Sequence, residues 1–508
     1  MGEVVNRRRE ANRVKGVAVM LSPWVAEEVK DVALGDKRLN NRLAEILSQL
    51  GGHPTASIPA ACGGYVETTA AYRFFDNDKV RFEDILQPHI EASCQRMAEH
   101  PVVILAQDTT ELDFTRPGEQ VSGAGTLDGS ARFGSLLHPL MGFTPDGTPL
   151  GTVYAQTWTR PDQPEESRSK QEAEYDRKHT PIEEKESFRW LESFRQARRV
   201  AEEIPQTQFV CVADSEADIY ELIEEAQRDG GPDWIIRAGQ DRALEKQGET
   251  DSCQQLANHL RDRVLAGDVL FTQTIKVRGR ESKVQNETRG RRQPRESRMA
   301  EVAVRAAQVT LRAPWRPDRK LTDTTVNVVL VTEVDPPPHE TPVEWILLTS
   351  LPIDSVEQVR AVIQYYCGRW MIEVFFRTLK SGCRVEDRRF ERIDRLERCV
   401  AVYLIVTWRT LFVCRLGREF PDISCEAVFE PAEWKSVYYV VHKTPPPKVP
   451  PKLQEMVRLI AQLGGYVNRP RPDEPGPQTV WLGLQRAHDI ATCWLAFGPE
   501  SKANAILV

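Results

Sequence analysis

The sequence predicts an α/β protein, with a sheet at the centre and helical units before and after it. Three observations predict this. Short apolar runs end in an acidic residue and pass into a turn or helix, as in PVVILAQDTTELDF (101–114) and FVCVADSEADIYELIEEAQ (209–227). Continuous apolar runs of that length read as strands buried on both faces. A block from Trp234 to Val334 alternates β-branched and polar residues (VLFTQTIKV, VAVRAAQVTL, TVNVVLVTEV) and reads as further strands. The flanking segments carry their apolar residues at helical spacing. At 508 residues the chain exceeds one ordinary core, which implies roughly two to four domains.

Each element follows from its local pattern. Residues from about 20 to 95 read as helices with polar breaks. In ALGDKRLNNRLAEILSQL (33–50), Leu39, Leu43, Ile46, Leu47 and Leu50 define one apolar face. Lys37, Arg38 and Arg42 stand at the start of that helix, where cations oppose the helix dipole. A phosphate partner would favour them there. HPLMGFTPDGTPLGTVYAQTW (138–158) reads as a hairpin turning at Pro145-Asp146-Gly147. The charged stretch from Arg160 to Gln196 reads as a loop and then a helix. After EWILLTS (344–350) the chain turns helical to about Cys414. Its most apolar part, Val400 to Cys414, is interrupted by Arg409 and is too short to span a bilayer, so it reads as a buried helix. A Pro-rich linker, TPPPKVPP (444–451), precedes a small helical unit running to about Phe497.

Composition narrows the class. Apolar residues make up 41% and charged residues 28%, as in soluble globular proteins. Ten cysteines form no C-x-x-C pair, which fits reduced thiols in a cytoplasmic protein. The opening MGEVVNRRREANRVKG has no apolar core of signal-peptide type, and no membrane association is expected. The net charge of −7 runs against a broadly basic nucleic-acid binder, but DNA responds to local patches. Lys276 to Arg298 is such a patch, with nine basic residues against three acidic ones and Arg289, Arg291, Arg292 and Arg295 at its centre. Arg7, Arg8, Arg9, Arg13 and Lys15 form a smaller one.

The chemistry gathers at three carboxylates. Asp108 follows the run VVILAQ and Asp214 follows FVCVA. Carboxylates at strand ends are placed to share a site in an open α/β sheet. In YYCGRWMIEVFFRTLK (365–380), Tyr366, Arg369, Glu373 and Lys380 fall within a helical arc of roughly 60°, opposite Met371, Phe375 and Leu379. The apolar face is expected to pack on the core and the polar face to look into a site.

Tyr, two residues, Arg, three residues, Glu, six residues, Lys is the signature of a large group of bacterial insertion-sequence transposases. The chain resembles the IS-four group at all four positions. ALGDKRLNNRL, AAYRFFDN, QDTTELDF, ADSEADIY, EWILLTSLPI and LGGYV are similar to the corresponding pieces. The resemblance runs from about Trp24 to the C-terminus. It implies an RNase H-like catalytic core at 96–414, with a β-rich insertion at about 234–348. A helical DNA end-recognition domain is implied at 21–95 and a helical dimerisation region at 415–508, after a basic extension at 1–20. Asp108, Asp214 and Glu373 match the catalytic, metal-holding triad. Tyr366, Arg369 and Lys380 match residues that contact end phosphates, and Trp345 matches a Trp that stacks on a flipped base. Arg73, Lys37, Arg38 and Arg42 fall in the end-recognition domain, and Arg237, Arg289, Arg291 and Arg292 are further expected DNA contacts. The implied cofactor is two Mg²⁺ ions, with Mn²⁺ as an accepted substitute, because phosphoryl transfer on DNA suits hard oxygen ligands. The implied partners are double-stranded DNA and a second copy of the chain in a paired-end complex. Two other readings stay open at this stage: an RNase H-like nuclease without joining activity, and a non-catalytic DNA-binding inhibitor or domesticated regulator.

Overall fold

The computed structural model describes residues 23–128, 131–161, 175, 179–227, 231–245, 259–277, 296–467 and 474–499. The basic residues at 7–15 and the centre of the 276–298 patch, including Arg289, Arg291, Arg292 and Arg295, lie outside them.

Five helices come first: α1 (Pro23–Glu28), α2 (Lys37–Gly52), α3 (Ile58–Cys62), α4 (Tyr65–Phe75) and α5 (Phe82–Met97). The apolar stripe of α2 is buried as its spacing predicts, with Leu43, Ile46, Leu47 and Leu50 at most 1% exposed. Its cationic start has a partner within the chain. Asp36 caps the helix, accepting from the Arg38 N–H at 2.8 Å, and its carboxylate also pairs with the Arg38 guanidinium at 2.8 Å. Arg42 pairs with Glu45 at 2.6 Å. An N-cap carboxylate is the ordinary remedy for a helix start, so Arg38 and Arg42 are accounted for within the chain, while Lys37 is exposed.

The sheet follows. Its strands are β1 (Val102–Gln107), β2 (Thr110–Asp113), β3 (Gly125–Thr126), β4 (Phe133–Phe143), β5 (Pro149–Trp158), β6 (Gln208–Ala213), β7 (Asp233–Arg237), β8 (Phe271–Val277), β9 (Arg298–Leu311), β10 (Thr324–Glu333) and β11 (Glu344–Thr349). All belong to one sheet. The order β5-β4-β1-β6-β7 has β1, β6 and β7 parallel and β4 antiparallel to both β1 and β5. This is the RNase H-like arrangement. Beyond β7 the sheet continues through β11, β10, β9 and β8, all antiparallel. The predicted hairpin is β4–β5, and Gly147 supplies its turn with φ at +91°.

Helices α6 (Phe188–Glu203), α7 (Tyr220–Ala226) and α8 (Leu260–Leu265) interleave with the strands; α9 (Val356–Gly368), α10 (Trp370–Arg377) and α11 (Ile393–Glu419) follow β11. Alternate residues of each central strand enter different cores. Phe209, Cys211 and Ala213 of β6 pack with α6 and α7, whereas Val210 and Val212 pack with Val359, Val362 and Ile363 of α9. Burial on both faces explains why these strands read as unbroken apolar runs. The apolar run 400–414 is part of the 27-residue α11. That helix is longer than expected and is buried against α2, α5, β5 and α10. Helices α12 (Pro431–His442), α13 (Leu453–Leu463) and α14 (Pro477–Phe497) form a last apolar cluster with the end of α11.

Candidate active site

Sheet register brings the first acids together. In the parallel pair β1–β6, Ala106 stands opposite Val212. Carried two residues on, that register sets Asp108 beside Asp214. In β6–β7, Ala213 stands opposite Ile236, so the next step sets Asp214 beside Arg237. The chain leaves the sheet at Asp108 for a definite reason. Gln107 faces Leu140 of β4 and Thr110 faces Leu137. Strands β1 and β2 are thus one line along β4, broken where Asp108 and Thr109 fall opposite Pro139 and His138. A proline has no N–H to give a ladder, and at the break the Asp108 carboxylate accepts from the Thr109 N–H at 2.8 Å.

The network beneath the break fixes its shape. Arg189 of α6 donates to the Thr109 hydroxyl at 2.8 Å and to Glu216 at 2.9 Å. It therefore braces the turn after Asp108 against the turn after Asp214. The Gln107 side-chain oxygen can only accept, so the imidazole of His138 carries its proton on Nε2, 3.3 Å from that oxygen. Nδ1 is then the acceptor for the Thr109 hydroxyl, 2.9 Å away. Full burial holds this imidazole neutral, with its pKa well below the usual value. Asp214 caps the short turn Ser215–Ala217 by accepting from the Glu216 N–H at 2.8 Å. Nothing in the sequence distinguished Arg189 or His138: each reads as an ordinary member of its helix or strand.

The third acid arrives on α10. The segment expected as one regular helix is broken twice. Helix α9 ends at Gly368, Arg369 joins it to α10, and Thr378–Gly382 forms a π-turn. The apolar face is as predicted, since Met371, Phe375 and Leu379 are buried. On the polar face, Arg369 reaches Asp108 at 2.6 Å and Glu373 at 3.8 Å. The Asp108 carboxyl is raised from its ordinary value. Burial pushes it up to about 7; Arg369 pulls it down, and the charges of Asp214 and Glu373 push it further up. Tyr366 is buried, and its hydroxyl feels the charges of Arg369, Arg237 and Asp214. The half-buried Trp345 meets the Tyr366 ring edge-on, with centroids 5.5 Å apart.

Asp108, Asp214, Glu373, Tyr366, Arg369, Arg237 and Trp345 are thus neighbours. Lys380, carried round by the π-turn, faces Glu386 at 3.8 Å beside β2. The remaining expected DNA contacts lie elsewhere. Arg73 is exposed on α4 and Lys37 at the start of α2. Arg298, at the end of the basic patch, is pinned by Glu333 and by Glu340 at 2.9 Å, so its charge is already neutralised. The exposed pair Tyr65 and Val66 opens α4 after the turn at Gly63-Gly64; the Gly-Gly was its only sequence signal.

The donor set suits a hard divalent cation in kind, being carboxylate oxygen throughout. Among the described residues no three His, Cys, Asp or Glu side chains are gathered as a metal site, and a guanidinium lies against two of the three acids.

Three family models match stretches of the chain. Residues 22–80 match the family model described as Transposase DNA-binding. Residues 146–408 match Transposase DDE domain, and residues 405–493 match Transposase Tn5 dimerisation domain. Among solved structures, a piggyBac transposase synaptic complex with hairpin DNA aligns at 9% identity over 78% of this chain and 72% of that one. Its TM-score of 0.34 is too slight a likeness to add to the case.

Proposed function

The chain belongs to the DDE transposases of the Tn5 type, and from that premise we propose that Asp108, Asp214 and Glu373 are its catalytic triad, acting on the ends of a DNA element. A DNA transposase of this type has DNA as its partner and acts as a homodimer. The observation that carries the residue assignment is the convergence just described. Strand register sets Asp108 beside Asp214, and Arg369 ties Asp108 to Glu373 across 2.6 and 3.8 Å.

The chemistry follows from the residue types. Strand cleavage and strand joining are both in-line displacements at phosphorus, so one site serves both. Water nicks one strand, the freed 3′-OH attacks the opposite strand to give a hairpin, and after the hairpin opens the 3′ ends attack target DNA. Two Mg²⁺ ions, when held by the three carboxylates, would supply charge stabilisation and a more acidic water. Arg369, Arg237 and Lys380 face the phosphates as counter-charges, Arg with bidentate geometry. Trp345 offers an aromatic face to an extruded base, and stacking of that kind returns about 1–3 kcal/mol.

Glu373→Gln tests the triad. A neutral amide holds a hard divalent ion poorly. This variant should bind a duplex bearing the inverted repeats that flank the gene, yet neither nick nor join it in Mg²⁺. Near-wild-type cleavage by Glu373→Gln would remove Glu373 from the triad.

A further inference from the structure

In the DNA-free protein, three acids share a partly buried site, and Arg369 is placed to pair with two of them. The Arg369 side chain is 14% exposed and that of Asp108 is 11% exposed. Its two terminal nitrogens point at different acids, one at Asp108 Oδ2 and the other at Glu373 Oε1. The residue is also the joint between α9 and α10, where the backbone stays right-handed helical but tightens, with the Arg369 N–H bonding the Tyr366 carbonyl and the Ile372 N–H bonding the Arg369 carbonyl, each at 3.1 Å. Carboxylates gathered in a low-dielectric site need a counter-charge, and in this state the chain supplies one itself.

We propose that Arg369 is the resident counter-ion of the carboxylate cluster, and that it keeps divalent metal out until a DNA phosphate draws it away. This rests on the reading of Asp108, Asp214 and Glu373 as metal ligands. A phosphate diester matches the guanidinium as well as a carboxylate does. When a DNA backbone enters, Arg369 exchanges Asp108 for phosphate, and the freed carboxylates become available to metal. Binding is then reciprocal: DNA raises metal affinity by the factor by which metal raises DNA affinity. An enzyme built this way carries no metal-activated water while it is off DNA.

The test is Mn²⁺ binding to the full-length protein without DNA, followed by calorimetry, with the melting temperature recorded at each metal concentration. Arg369→Gln removes the counter-charge. It should melt below wild type without metal, bind Mn²⁺ at least tenfold more tightly, and recover stability as Mn²⁺ is added. Arg369→Lys keeps the charge and should bind Mn²⁺ about as weakly as wild type. Adding Asp108→Asn to Arg369→Gln should abolish the gain. If Arg369→Gln binds Mn²⁺ no better than wild type, while Asp108→Asn lowers the affinity of both, the carboxylates are ligands and Arg369 is no barrier. If Asp108→Asn leaves Mn²⁺ binding unchanged in every background, the triad reading itself fails and the proposal falls with it.

Discussion

A single residue, Asp108, carries the sharpest electrostatic consequence of the fold. Its position could be read from the sequence because a carboxylate ends an apolar run. Its environment could not, because that depends on Arg369 meeting it directly and on His138 and Arg189 holding the adjacent Thr109 from two other elements. The folded carboxyl titrates near 7, against 3.8 for an unperturbed one, chiefly because it is buried. Below the unfolded value both states are protonated and the contribution to stability is complete. Between about 4 and 7 only the folded state holds the proton, so stability falls as pH rises, by at most about 1.4 kcal/mol per pH unit. Above 7 the loss levels off. Asp108→Asn does not titrate and should show none of this slope. Denaturant melts of both proteins at pH 5 to 8, in chelator, should therefore give a wild-type stability that declines relative to the variant. A constant difference across that range would mean that the folded carboxyl is ionised throughout.

At the scale of the element, periodicity predicted which faces are buried but not where helices stop being regular. Met371, Phe375 and Leu379 lie on the core side as the 3.6-residue repeat requires, yet the joint at Arg369 and the π-turn at Thr378–Gly382 left no mark in the pattern. Such breaks are set by what packs against them: a Cβ on Gly382 would lie 2.9 Å from the Trp481 ring of α14. The same limit applied to α3 and α4. Charge drew attention to Lys37, Arg38 and Arg42, but Arg38 and Arg42 are paired within the chain, while the neighbouring apolar pair Tyr65 and Val66 is 86% and 71% exposed. Two short helices joined by a tight Gly turn resemble a helix-turn-helix, in which the first residues of the second helix meet base edges. We expect Tyr65→Ala to weaken binding to the element's own end by about 1–3 kcal/mol and to an unrelated duplex hardly at all. Arg73→Gln should weaken both alike and reduce the salt slope by roughly one. Titrations of both duplexes at several salt concentrations separate these outcomes. An equal loss on the two duplexes for Tyr65→Ala would remove it from sequence reading.

Across the whole molecule, the three units expected from the sequence are joined by polar ties, some of them buried, that no local pattern announces. Arg398 of α11 donates to the Val80 and Phe75 carbonyls at 2.7 and 2.8 Å, and Arg388 donates to the Pro54 carbonyl at 3.1 Å while lying over the Tyr403 ring. His53, just after α2, meets Asp489 of α14 at 2.9 Å. The C-terminal helices are also part of the core: Val413 and Cys414 of α11 share one apolar cluster with Met456, Val457 and Ile460 of α13. Cutting the chain after the Pro-rich linker, the simplest test of dimerisation that the sequence offers, would uncover that cluster and destabilise the catalytic unit. A surface test avoids the problem. Leu495 and Phe497, at the end of α14, are 69% and 78% exposed, and Tyr439 and Val440 of α12 are 47% and 44% exposed. Tyr439 lies 5.7 Å from the Trp494 ring, so the two helices present one apolar patch. Soluble monomers rarely leave such patches uncovered, and this one borders the region matched to the dimerisation domain. Leu495→Asp combined with Phe497→Asp should leave single-end binding and the melting temperature nearly unchanged, because neither side chain is in the core. Paired-end complexes in native gels should disappear, since burying two carboxylates against their symmetry mates costs several kcal/mol. Should paired-end complexes persist in the double variant at the wild-type protein concentration, the dimer contact lies on another face of these helices.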